Sequence, residues 1–267
     1  MSSGRGRVLI VAGSDSGGGA GIQADLKTVM ALGGYGMTAI TALTAQNTLG
    51  VHGVLGVAPD FVARQMEVVL DDIGADAIKT GMLVNAGIIE AVAAVLAAKA
   101  PEVPLVLDPV MVAKGGAALL DPLAVDALRR LLIPRAAVLT PNLPEAEAIT
   151  GMTIADVDDM IAAARLLLAL GPRAVLLKGG HLDGPVVTDL LARAEGVLRF
   201  DDPRIDTAST HGTGCTLASA VAAGLAQGLD VSDAVARARL YVRRAIALAP
   251  AIGHGHGPLG HGAAGVA

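Results

Sequence analysis

The chain has 267 residues and a net charge of −5; it is 53% hydrophobic and only 1% aromatic, so Ala, Val, Leu and Ile must build its core, and disorder is excluded. Twenty basic residues face 25 acidic ones, and no basic block is interleaved with aromatics, so a nucleic-acid surface is not expected. Despite a mean hydropathy of +0.59, no membrane span is expected. The charge-free run between Lys27 and Asp60 is broken by Gly33, Gly34 and Gly36 and carries Gln46, Asn47 and Thr48, which lipid cannot satisfy.

In chain order, short apolar runs alternate with longer Ala/Leu stretches of helical period, the pattern of an α/β protein with a mostly parallel sheet covered on both faces. Strands are predicted at Val8–Ala12, Thr38–Thr44, Val51–Val57, Ala77–Lys79, Leu105–Leu107, Ala137–Leu139 and Val175–Leu177. Helices are predicted from Ile22 and over Asp60–Leu70, Ala86–Ala98, Val157–Leu170, Thr216–Gln227 and Ser232–Leu248, the last with Ser232 as N-cap. Val186–Leu191 and Val197–Phe200 flank Arg193–Gly196 as a β-hairpin. No linker or repeat divides the chain, so one domain is expected, with the Gly-rich segment 253–267 as a flexible tail whose histidines are not a metal site. A single cysteine, Cys215, excludes an internal disulfide, and no secretory signal pattern is readable at the start, so a cytoplasmic setting is expected.

Chemistry-bearing residues gather at the carboxyl ends of these strands, where doubly wound sheets bind ligands. After the first strand, Gly13-Ser14-Asp15-Ser16-Gly17-Gly18-Gly19-Ala20-Gly21 has more glycine than a turn needs and is expected to contact substrate or form a partial anion nest. No Gly-Lys-Ser/Thr occurs, which excludes a Walker A loop; Gly17-x-Gly19 is followed by Ile22 where a dinucleotide loop needs Gly or Ala, and the matching strings at Gly34–Ala39 and Gly255–Gly260 lack the strand-then-helix context of a dinucleotide fold. Thr210-His211-Gly212-Thr213-Gly214-Cys215-Thr216 opens an Ala-rich helix, where unpaired N–H groups and the helix dipole attract an anion and favour a Cys215 thiolate. Asp108, Asn142, Glu145 and Lys178 add hard oxygen ligands and an ammonium at further strand ends, suited to Mg²⁺ and phosphate.

Six stretches in order, Ala12 to Asp25, Thr44 to Thr48, Lys79 to Leu83, Asp108 to Met111, Thr140 to Glu147 and His211 to Thr216, resemble the ribokinase superfamily and, within it, the hydroxymethylpyrimidine/phosphomethylpyrimidine kinases of thiamine biosynthesis. The resemblance runs from about Val8 to Pro258. It implies a ribokinase-like three-layer sandwich and transfer of phosphate from ATP, with Mg²⁺, to a pyrimidine alcohol and then to its monophosphate. It further implies an anion hole of Gly212, Thr213 and Gly214, Lys178 on the ATP phosphates, Asn142 beside the nucleotide, and Asp108 and Glu145 holding the metal. Cys215 is implied as the base, where most of the superfamily has Asp, and Gly13, Asp25, Gln46, Met82 and Val110 as the pyrimidine pocket. A homodimer is implied as well. Two alternatives stay open: a pyridoxal or pyridoxine kinase, and a non-catalytic vitamin-binding module.

Overall fold

A computed structural model describes residues 5–111, 119–121 and 124–264. Among these residues, nine strands form one mixed sheet in the order β3-β2-β1-β4-β5-β6-β7-β8-β9. They are β1 (Arg7–Asp15), β2 (Tyr35–Asn47), β3 (Gly50–Gly56), β4 (Ala77–Thr80), β5 (Leu105–Leu107), β6 (Val138–Leu139), β7 (Ala174–Lys178), β8 (Val186–Arg193) and β9 (Gly196–Pro203). From β2 to β7 every neighbouring pair is parallel. Only the margins, β3 on one side and the predicted β8–β9 hairpin on the other, run antiparallel.

The central strands are apolar on both faces because helices cover both. In β1, Leu9 and Val11 enter one core while Val8, Ile10 and Ala12 enter the other. The first core is closed by α2 (Pro59–Asp72), α3 (Ala86–Lys99), the short α4 (Ala124–Ala127), α5 (Leu143–Thr150) and α6 (Val157–Leu168). The second is closed by α1 (Gly21–Ala31), α7 (Thr213–Ala226) and α8 (Val231–Ala247). Layered this way, the chain is the expected three-layer α/β sandwich. Among the described residues no helix is long and apolar enough to cross a membrane.

Two local expectations are corrected. The N-cap of α8 is Asp230, whose carboxylate accepts the Asp233 N–H at 2.9 Å, and Ser232 already lies inside the first turn. The supposed flexible tail is built into the fold, as far as Ala264. Leu259 and Ala264 are buried in the second core, and the Tyr241 hydroxyl donates to the His261 carbonyl at 3.0 Å. His261 Nε2 lies 2.9 Å from Thr216 Oγ1, and the His256 N–H donates to the Thr48 carbonyl at 2.8 Å. Its glycines serve close approach, since a side chain at Gly255 would run into the Thr48 carbonyl.

Candidate active site

The carboxyl ends of β1, β4, β5 and β7 open into a cavity of about 400 Å³. It is lined by Gly13, Gln46, Met82, Asp108, Val110, Asn142, Glu145, Lys178 and the whole run from Gly212 to Cys215. The structure therefore brings together every sequence-predicted site residue except Asp25. That carboxylate is fully buried on α1, behind the cavity, where it accepts two 2.9 Å hydrogen bonds from Lys79 and one of 2.7 Å from Ser219 Oγ. Lys79 lines the cavity in its place.

The phosphate-handling wall is built from helix ends. α7 begins one turn earlier than predicted, and its N-cap, Gly212, sits at φ +84 with no side chain to cap the first turn. A methyl group at Gly212 would collide with the Gly19 carbonyl, so the conformation and the packing both demand glycine. Opposite, Lys178 Nζ donates to Asp108 Oδ1 at 3.0 Å, and Thr140 Oγ1 donates to the same oxygen at 3.1 Å. A Cβ placed on Gly214 would lie 3.3 Å from Lys178 Nζ and 3.9 Å from Asp108 Oδ2, so the helix tip and the strand-end charges share one space. Asn142 and Glu145 form a reciprocal capping box on α5, with bonds of 2.9 and 2.8 Å. Capping and site membership coincide here: Glu145 is buried, and its carboxyl is raised by that burial and by Asp108, against the pull of Lys178.

Cys215 departs from the expected thiolate. Burial pushes its thiol up to about 11, and Asp25 and Asp108 push the same way, outweighing the Lys79 ammonium and the Gly21 N–H that donates to the sulfur. The helix dipole alone does not decide the matter.

Of the two roles expected for the glycine loop after β1, the anion nest is corrected, while Gly13, Ser14, Asp15, Ala20 and Gly21 line the cavity. The loop's N–H groups do not form an empty anion nest, because Asp15 fills it. The Asp15 carboxylate accepts from Gly17 at 2.8 Å, from Gly19 at 3.0 Å and from Ala20 at 2.8 Å. It also takes the imidazole of His211 at 2.9 Å. Burial alone would raise this carboxyl, but His211 and the backbone donors hold it below the usual range. The Gln46 amide spans from His211 Nε2, 3.3 Å away, to Thr44 Oγ1, 3.1 Å away. Met82 Sδ lies over Gly13, where a Cβ would stand 3.1 Å from it.

Sequence reasoning gave no role to Lys79, Asp15 or His211. Lys79 carried a usable signal, a charge following Ala77 and Ile78 in a central strand, which a two-sided core tolerates only with a partner.

Known proteins agree with this geometry. The sequence profile of the family described as phosphomethylpyrimidine kinase matches residues 15–260. A hydroxymethylpyrimidine/phosphomethylpyrimidine kinase of Streptomyces coelicolor is 51% identical, over 96% of this chain and 94% of its own. The thiamine biosynthesis bifunctional protein ThiED of Geobacter sulfurreducens is 56% identical over 96% of this chain, which spans about half (52%) of that longer relative. Among solved structures, the ADP complex of Bacillus subtilis pyridoxal kinase superposes with a TM-score of 0.89 at 40% identity, over 97% of this chain and 98% of that one. With the site's residues at the strand ends of a ribokinase-like sandwich and a family profile that matches most of its length, the chain belongs to the phosphomethylpyrimidine kinase family.

Proposed function

We propose that this chain moves the γ-phosphoryl group of ATP onto the hydroxymethyl oxygen of 4-amino-5-hydroxymethyl-2-methylpyrimidine, and then onto the phosphate of the product, giving the diphosphate used to build thiamine. The observation that carries the reading is the shared cavity, with the first turn of α7, capped by no side chain, and Cys215 on one wall and Lys178 beside Asp108 on the other. Phosphoryl transfer asks chiefly for in-line positioning and charge stabilisation, which this arrangement supplies.

Each group has a task in this reading. The Gly212–Gly214 N–H groups and the Lys178 ammonium take the charge on the transferred phosphoryl as its bond to the β-phosphate breaks. Cys215, in its thiolate form, takes the hydroxyl proton as the new O–P bond forms. Burial keeps that sulfur a thiol in the free protein, so this role requires that its own proton leave to solvent before transfer, and a loose transition state, which places little demand on the base, tolerates a small thiolate fraction. A second cavity of about 410 Å³ meets the first at Asn142, Lys178, Thr213 and Gly214, and its Val187, Ile205, Leu217 and Val242 walls provide the aliphatic adenine pocket that a chain so poor in aromatics requires.

Mg²⁺ fits the residues present. Asp108 and Glu145 face one cavity and repel one another, and this ion takes one or two carboxylates plus water and phosphate oxygens. When bound it would neutralise phosphate charge. The reading also includes a cytoplasmic homodimer, supported by the exposed Leu43, Leu49 and Leu55 side chains around the β2–β3 margin and checked by light scattering.

A second reading, vitamin B6 phosphorylation, is favoured by the close superposition on a pyridoxal kinase. Product analysis with the pyrimidine alcohol, its monophosphate and pyridoxine as separate substrates decides. ADP and phosphorylated product from the first two support the proposal. Product from pyridoxine alone overturns it, and tight pyrimidine binding with no ADP leaves a binding module.

A further inference from the structure

Thr216 stands one turn into α7, fully buried, and its N–H donates to the Gly212 carbonyl at 2.9 Å. A threonine this far inside a helix has a ready acceptor for its hydroxyl in the carbonyl four residues back. Thr28 and Thr150 use it, donating to the Ala24 and Ala146 carbonyls at 2.7 Å each. Thr216 does not. Among the described residues its hydroxyl has one partner, His261 Nε2 at 2.9 Å. A buried hydroxyl must place its hydrogen, so Nε2 is the acceptor, and the ring's own hydrogen goes to the Leu259 carbonyl. Burial lowers the pKa of the ring to about 4, so the Nε2 lone pair is present at neutral pH. His261 is in turn fixed from α8: the Tyr241 hydroxyl donates to its carbonyl at 3.0 Å, and the Gly260 N–H to the Ala245 carbonyl at 2.8 Å.

We infer that His261 is a positioning residue for the phosphate-binding tip of α7: by taking the Thr216 hydroxyl hydrogen it leaves the Gly212 carbonyl to the Thr216 N–H, and so sets the plane of the Gly212–Thr213 peptide. The inference deepens the proposed function and rests on it. A peptide unit is rigid, so the Gly212 carbonyl and the Thr213 N–H turn together. That N–H has a 3.5 Å contact with the Thr210 carbonyl, at the long limit of a hydrogen bond, and is available to a phosphate oxygen. A hydroxyl folded back onto the carbonyl four residues earlier bends a helix. Here the bend would fall on the first turn and carry the Thr213 N–H off its aim. The segment that closes the chain thus acts on phosphoryl transfer without entering the cavity.

A double-mutant cycle tests this. His261→Leu removes the acceptor and frees the Thr216 hydroxyl to turn back, His261→Gln keeps an acceptor at similar reach, and a Thr216→Val background leaves no hydroxyl to turn. Turnover is measured with ATP and the pyrimidine alcohol at a temperature where denaturation curves show every variant folded, and alcohol binding by calorimetry. His261→Leu is expected to lower kcat about tenfold, part of what a lost donor costs, with alcohol binding within about threefold of wild type. His261→Gln should stay within about threefold, and in the Thr216→Val background His261→Leu should cost less than about twofold. A general loosening of the fold gives equal losses in both backgrounds; that result overturns the inference, as does an unchanged kcat in His261→Leu. Should His261→Leu not fold, His261→Met, with its more adaptable side chain, takes its place in the cycle. The Thr213 amide resonance gives a reading independent of turnover: it should move on His261→Leu in the wild-type background and stay put in Thr216→Val. That pattern in a protein that binds the alcohol and ATP without turnover supports the positioning role and overturns the kinase reading instead.

Discussion

Lys79 donates to both carboxylate oxygens of Asp25 at 2.9 Å, and neither side chain reaches solvent. This ion pair crosses from β4 to α1 beneath the cavity floor, and Ser219 of α7 completes it. Asp25 keeps Lys79 charged against its burial. Losing one partner of such a pair strands a buried charge, at a cost of about 3–5 kcal/mol. Lys79→Met is therefore expected to lower unfolding stability by that amount in equilibrium denaturation, and Lys79→Met combined with Asp25→Asn should recover more than half of it. A single variant as stable as wild type would show that the pair contributes nothing.

Cys215 is the protein's one cysteine, so thiol chemistry reports on a single site. With the thiol pushed up to about 11 from an ordinary 9.0, alkylation by iodoacetamide in the free protein should be slow at neutral pH and still rising at pH 10. A rate that levels off below pH 9 contradicts the burial argument. Cys215→Ala should cut kcat at least about a hundredfold, the scale of losing one charge-stabilising element, with KM for the pyrimidine nearly unchanged. Activity near that of wild type would make the residue structural.

His261 gives the fold an acid limit. Burial lowers its pKa to about 4 from 6.5, so the native state keeps the ring neutral while the unfolded chain takes up a proton. Its contribution is intact above pH 6.5 and shrinks as pH falls toward 4, by up to about 3 kcal/mol in all. The expected signature is a steeper loss of stability over that interval in wild type than in His261→Gln. Parallel curves would refute it.

Gly212 admits no side chain. Gly212→Ala must move the Gly19 carbonyl or leave φ +84, so turnover should fall at least about a hundredfold while the secondary-structure content is kept. Circular dichroism and product formation together check this.

How far the sequence carries can be judged from particular residues. β1, β5 and β7 were legible because two-sided burial leaves continuous apolar runs, and Asp108, Lys178 and Gly212–Cys215 because polar groups at the ends of such runs have few structural reasons to be there. Segment 253–264 was misread because composition reports chain entropy and not what the backbone packs against: the same glycines that suggest a loose end let it press onto Thr48. Asp25 was misplaced because a resemblance carries a residue's neighbourhood without saying which side of the wall it occupies. The Cys215 thiolate was overestimated because the helix dipole is local, whereas burial and the Asp25 and Asp108 carboxylates come from distant parts of the chain.

The Gly19 carbonyl lies so close to the Gly212 α-carbon that the first and last loops of the cleft meet along a seam without a methyl group's clearance. Loops joined so tightly constrain one another's evolution: a bulkier residue at either becomes tolerable only after the other has shifted. Libraries that randomise one loop at a time should yield few active clones, and paired randomisation of 17–20 with 210–213 is the more promising route to altered donors or acceptors.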